Sequence, residues 1–145
     1  MYASASPFAS AMRRQPGALY HSVGVETAVV SASAHRLVAM LFDGLLGAIA
    51  QAQGAMASGD VLGKGQAIGR AARIVEEGLK AGLNLREGGR LAADLQDLYA
   101  YMTLRLTQAN LHNDPERLEE VKRLVQPLRD AWNAIGSQVD QRNDA

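Results

Sequence analysis

Residues 32–52, "ASAHRLVAMLFDGLLGAIAQA", decide how this chain folds. A helix on the surface of a soluble bundle hides one stripe and wets the other. Here apolar residues occupy nearly every position, and one carboxylate, Asp43, sits in the middle. Leu37, Leu41, Leu45, Ala48 and Ala52 form one stripe at helical spacing, and Val38, Phe42, Leu46 and Ile49 form a second beside it. That arc is wider than packing into a bundle requires. Either the helix is central and buried all round, or part of the arc is an open groove for a partner's amphipathic helix. Spacing alone leaves both open. Asp43 then belongs at the groove rim or buried against a donor, and the rim is favoured because acids are rarely fully buried.

Ser33 is a candidate N-cap, so the helix is expected over about 34–57. Upstream, "YHSVGVETAVVSAS" (20–33) reads as a short helix or extended strap. Residues 1–18, "MYASASPFASAMRRQPGA", carry no sustained period and are expected to be mobile. Downstream, "SGD" (58–60) closes the helix, and Ile68, Ala71, Val75, Leu79 and Leu83 mark another. "NLREGG" (84–89) is expected to end it, because Gly88 and Gly89 accept backbone angles that other residues resist. Leu91, Leu95, Leu98, Met102 and Leu106 follow at the same spacing, with Tyr99, Tyr101 and Leu104 lying off that stripe. "HNDPE" (112–116) starts the last helix, with Asp114 as cap, Pro115 at the first helical position and Glu116 in the first turn. Leu118, Val121, Val125, Leu128, Trp132 and Ile135 then repeat as a bundle seam, interrupted by Pro127, which is expected to kink it. The fold class is all-α: an antiparallel four-helix bundle with an additional short N-terminal helix or strap. The expected organisation is a mobile segment 1–18, a bundle domain 19–137 and a disordered tail 138–145.

Composition removes several function classes. Fifteen basic and 15 acidic residues balance, which is the wrong footprint for nucleic acid. There are no cysteines, hence no disulfides and no thiolate metal sites, and the cytoplasm is the expected compartment. Asp43, Gln51 and Gln53 break the longest apolar run, and the N-terminus lacks the order of a secretory signal, so neither membrane insertion nor secretion is expected. "GDVLGKGQAIG" (59–69) has the wrong glycine spacing for a phosphate loop, has Gly65 where Ser or Thr would hold magnesium, and follows no strand. No glutamate stands three residues before His21, His35 or His112, so the Glu-x-x-His di-iron signature is absent. Asp94 and Asp97 share a face and read as ordinary solvation. No catalytic residue, cofactor or metal is expected.

The order of motifs resembles the FliS family of flagellar export chaperones. The match runs from about Leu19 to Ile135, through "YHSVGVETAVVSASAHRLVAMLFDG" (20–44), "IVEEGLKAGLNLREGGRLAADLQDLYAYM" (74–102), "QANLHNDPERLEEVKRLV" (108–125) and "AWNAI" (131–135). Ala34 stands where the family commonly has Pro, the segment before Tyr20 is longer than usual, and Pro127 is foreign to the pattern. The resemblance implies a non-enzymatic cytoplasmic chaperone. It would bind the disordered C-terminal segment of flagellin in apolar grooves, prevent early polymerisation and present its client to the flagellar export apparatus. It further implies that the chaperone's own N-terminal segment covers part of that surface when empty, with a homodimer as a candidate empty state. Carried over residue by residue, the implied contacts are Tyr20; the "LFDG" element with Val38, Leu41, Phe42, Asp43, Leu45 and Leu46; and Leu98, Tyr99, Tyr101 and Met102. The alternative from another class is a helical-bundle adaptor that acts by self-association.

Overall fold

Helix α1 spans Ala28–Ser58 and turns at Gly59 into α2, Val61–Arg73, which continues without a break as a π-helix over Ile74–Lys80. Helix α3 covers Leu85–His112 and α4 covers Pro115–Asp144. The computed structural model describes Tyr20 and residues 28–144, with side chains placed at Tyr20 and at 33–136. Among these residues there is no strand.

The contacts along each helix pair run in opposite senses, so the bundle is antiparallel. Between α1 and α4, Trp132 meets His35, Arg129 meets Asp43, and Gln53 meets Glu119. Between α2 with its π-helical extension and α3, Lys64 meets Asn110 while Glu76 meets Thr103. Helix α1 therefore has α2 on one flank and α4 on the other, and α3 closes the square.

Local signals set most of the boundaries. Asp60 accepts the Gly63 amide at 2.9 Å and starts α2. Asn84 accepts the Glu87 amide at 3.0 Å and starts α3. Thus "NLREGG" caps a helix rather than ending one: a first turn forms at once, and Gly89, at φ 59° and ψ −139°, re-aims the chain before the long part of α3. Asn113 closes α3 in the left-handed region, and Asp114 accepts the Glu116 amide at 3.0 Å to open α4, as "HNDPE" predicts.

The expected start of the first long helix changes. Helix α1 already includes Ala28–Ser33, so Ser33 is a helical residue and not the cap; the alanines and valines before it continue the helix. The rest of the expected strap, apart from Tyr20, and residues 1–18 lie outside the described residues. Pro127 sits on the exposed face of α4, which stays helical on both sides of it. The carbonyl left without its amide partner is that of exposed Arg123, which water can satisfy. Helix α4 also continues to Asp144, past the expected start of a tail at 138.

The π-helix was not foreseen, yet its cause is visible. Ala71, Val75, Leu79 and Leu83 follow one another in steps of four. Each such step turns about 40° beyond a full turn of an α-helix. Widening the turns over Ile74–Lys80 keeps Val75 and Leu79 fully buried and Leu83 packed on the core. Gly78 lets Leu41 of α1 pack against this segment: a Cβ there would lie 3.0 Å from the leucine's Cδ2.

The core holds Phe42, Leu45 and Ile49 from α1, Ile68, Val75 and Leu79 from the second arm, Leu95, Met102 and Leu106 from α3, and all six seam residues of α4. Replacing Asp60 with Ala removes the α2 cap and is expected to lower the unfolding free energy by about 1 kcal/mol in urea titrations. Asp94→Ala, at an exposed position, is expected to stay within about 0.5 kcal/mol of the parent.

Candidate partner interface

At the end of the bundle where α1 begins and α4 descends, Tyr20 fills a crevice between three elements. Its hydroxyl hydrogen-bonds the hydroxyl of Tyr99 on α3, and its ring meets Trp132 of α4 edge-on, with centroids 5.5 Å apart. It also lies against the chain just past the π-helix: a Cβ built on Gly82 would stand 3.5 Å from the Tyr20 ring. Behind it, the Trp132 and His35 rings stack at 4.3 Å, and the indole Nε1 donates to the His35 carbonyl at 2.8 Å. Burial pushes the Tyr20 phenol well above its ordinary range, with the neighbouring Tyr99 adding to the shift. Burial raises Tyr99 too, opposed by the hydrogen bond from Tyr20. Both groups are neutral in the folded protein.

The outer face of α1 has the opposite character. Leu37 is 58% exposed and Met40 63% exposed, and Gly44, Gly47, Ala50 and Gly54 continue the same side, with exposed Arg36 and Gln51 among them. Asp43 stands at its edge, exposed, bridged to Arg129 of α4 at 3.1 Å. By length and composition Ser33–Ser58 could cross a membrane. Its inner side is instead packed between α2 and α4: of the two stripes read from the sequence, only Leu37 is exposed, Leu41 and Leu46 are half-buried and the rest are buried, so the bare side consists mostly of residues outside those stripes. On α3, Leu104 is exposed beside Tyr101, whose hydroxyl donates to Glu120, which also accepts Arg105 Nε at 2.6 Å.

The structure distributes the residues implied by resemblance over three environments. Tyr20, Val38, Phe42, Leu45, Tyr99 and Met102 face the interior. Tyr99 in particular, which the spacing put off the main stripe, is fully buried because it anchors Tyr20. Leu41, Leu46 and Leu98 are half-buried at the margins, while Asp43 and Tyr101 are exposed. Sequence reasoning missed that His35 and Trp132 complete the Tyr20 seat. It also counted Leu37 in a stripe without Met40, whose position one turn on was the available signal.

A sequence profile for the family described as "Flagellar protein FliS" matches residues 17–139 of this chain. The chain belongs to the FliS family. The FliS-type flagellar secretion chaperone of Salmonella typhimurium is 47% identical over 116 residues, covering 80% of this chain and 86% of its own. The Escherichia coli chaperone is 44% identical over 113 residues, covering 78% and 83%. The Bacillus subtilis chaperone is 34% identical over 119 residues, covering 81% and 87%. The matched span of the FliS profile takes in both the Tyr20 seat and the outer face of α1, and a flagellar export role follows from the family.

The neutral Tyr20–Tyr99 pair sets an alkaline limit. Both phenols are raised in the fold, so the stability they contribute is fully present below their ordinary value of about 10 and is lost as pH rises above it. The melting temperature is expected to fall more steeply above pH 10 in the parent than in Tyr99→Phe, read by circular dichroism with tyrosinate absorbance followed alongside.

Proposed function

We propose that this chain is a cytoplasmic, non-enzymatic export chaperone that binds the disordered C-terminal segment of flagellin, holds it back from polymerising and delivers it to the flagellar export apparatus. The observation that carries the reading is the outer face of α1, where Leu37, Met40, Gly44, Gly47, Ala50 and Gly54 are exposed and outnumber the exposed charges Arg36 and Asp43. A disordered segment that folds into an amphipathic helix on contact can lay its apolar side along such a face. Met40 suits that task because an unbranched thioether adapts to more than one shape. Family membership supplies the export role.

In this reading Leu41, Asp43, Leu46, Leu98 and Tyr101 touch the client directly, joined by Leu37 and Met40. Val38, Phe42, Leu45, Tyr99 and Met102 support that surface from within. Tyr20 acts as a plug: where its closed state competes with the client, apparent affinity falls by the closed fraction. A homodimer that the client dissociates is a candidate empty state, since a second copy would cover the same apolar residues.

Flagellin and a flagellin cut short at its C-terminus, each co-expressed with the full chain, separate the readings. One-to-one capture of the first and loss of the second is expected, and half-molar salt is expected to weaken the complex little, because apolar area drives it. Equal capture of both proteins, or loss in salt, overturns the proposal. A dimer that persists while neither flagellin is captured would instead favour the self-associating adaptor. Leu37→Ser with Met40→Ser is expected to leave the melting temperature nearly unchanged and to weaken client binding about tenfold or more by calorimetry. Asp43→Ala removes an exposed ion pair, so its stability cost stays below about 1 kcal/mol while client affinity changes.

A further inference from the structure

At the end of the bundle away from Tyr20, the first turn of α2 and the last turn of α3 enclose a cleft of about 500 Å³. Its walls are Val61, Leu62, Lys64, Gly65, Gln66 and Asn110. The rim is apolar: Val61 and Leu62 are 73% and 72% exposed. The wall is not. Lys64 is only 8% exposed, and its ammonium donates to the Asn110 carbonyl at 3.2 Å and to Asn113 Oδ1 at 3.1 Å.

Those two acceptors are neutral, and an ammonium has three hydrogens to give. Among the described residues Lys64 makes no ion pair. The acids of the two adjoining turns are engaged elsewhere: Asp60 caps the Gly63 amide, and Asp114 holds the Glu116 amide and Arg117. The carboxyl end of α3 offers about half a negative charge, which eases the burial of the cation without neutralising it. At Gly65 the wall is bare backbone, and a Cβ built there would meet nothing within 4 Å. The cleft thus joins a buried cation lacking a counter-ion to an apolar rim with room beside it.

We propose that this cleft receives the chain-terminal carboxylate of the client, which takes the third N–H of Lys64 while the last apolar side chains rest on Val61 and Leu62. The inference rests on the reading that the client is the C-terminal segment of flagellin. A terminal carboxylate suits the site better than a side-chain acid, because no further residues follow it that would have to be led past the apolar rim. It would also fix the register of a segment whose other contacts are apolar and tolerant of sliding.

Calorimetry of the full chain with the C-terminal flagellin segment, made once as the free acid and once as the C-terminal amide, tests it. The amide is expected to bind about tenfold more weakly, the worth of one charge-assisted hydrogen bond. Lys64→Gln is expected to weaken the acid by the same factor and to leave the amide unchanged. Equal binding of acid and amide to the parent chain overturns the carboxylate seat and leaves the flagellin reading standing. An equal loss for both peptides on Lys64→Gln also overturns it, by assigning Lys64 to capping α3 or to a side-chain acid. Failure of both peptides to bind the parent removes the client reading and the seat together. Should Lys64→Gln fail to fold, the acid and amide comparison on the unaltered chain decides alone.

Discussion

The bundle depends on α1 being buried from two sides at once. Phe42, Leu45, Ala48, Ile49 and Ala52 are inaccessible to water because α2 covers one flank of the helix and α4 the other. Alanines at 48 and 52 let the neighbouring helices come close near the turn end, while Phe42 and Leu45 fill the wider middle. Loss of that one helix would bare both neighbours. Since the inner arc alone satisfies the folding requirement, the outer arc is free of it. An apolar residue such as Met40 on that outer side adds nothing to the core, so its presence is a matter of what the protein meets.

Charged groups hold the helices in register more than they hold the fold together. Glu120 accepts from both Tyr101 and Arg105 across the α3–α4 seam, with the Arg105 guanidinium 5.8 Å from the Tyr101 ring centre. Glu76 accepts from Thr103 and Lys80, which ties the π-helix to α3. These groups are partly or fully wet, where ion pairs contribute little. Each sits at the margin of an apolar seam and penalises a helix that slides by one turn. Lys64 differs in being buried, and for that reason its lack of a counter-charge carries weight.

How much of this was legible in the sequence follows from how local each signal is. The seam of α4 from Leu118 to Ile135 and the Asp114–Pro115 start could be read because each depends on neighbours within two turns. Capping at Asn84 was misread because glycines at 88 and 89 resemble a terminator, while the helix start depends on one side chain reaching the Glu87 amide. The partner surface was half legible. Which half of the α1 arc faces water is decided by where α2 and α4 lie, and the burial of Tyr99 by a partner 79 positions away. No periodicity carries that information.

The π-helical stretch has a further consequence, for phase. Any helix assigns each residue a direction, and a change of one residue in length rotates everything beyond it by about 100°. Ile74–Lys80 is where the second arm absorbs extra residues without losing its inward direction. Gly82, on which the Tyr20 ring rests, lies just past it. The direction in which Gly82 faces is therefore set by how many residues those wide turns contain. A single-residue deletion there would turn the Gly82 side of the crevice away from Tyr20 while Tyr99 and Trp132 stay on their own helices, so length in this segment is constrained more tightly than the identity of most residues within it.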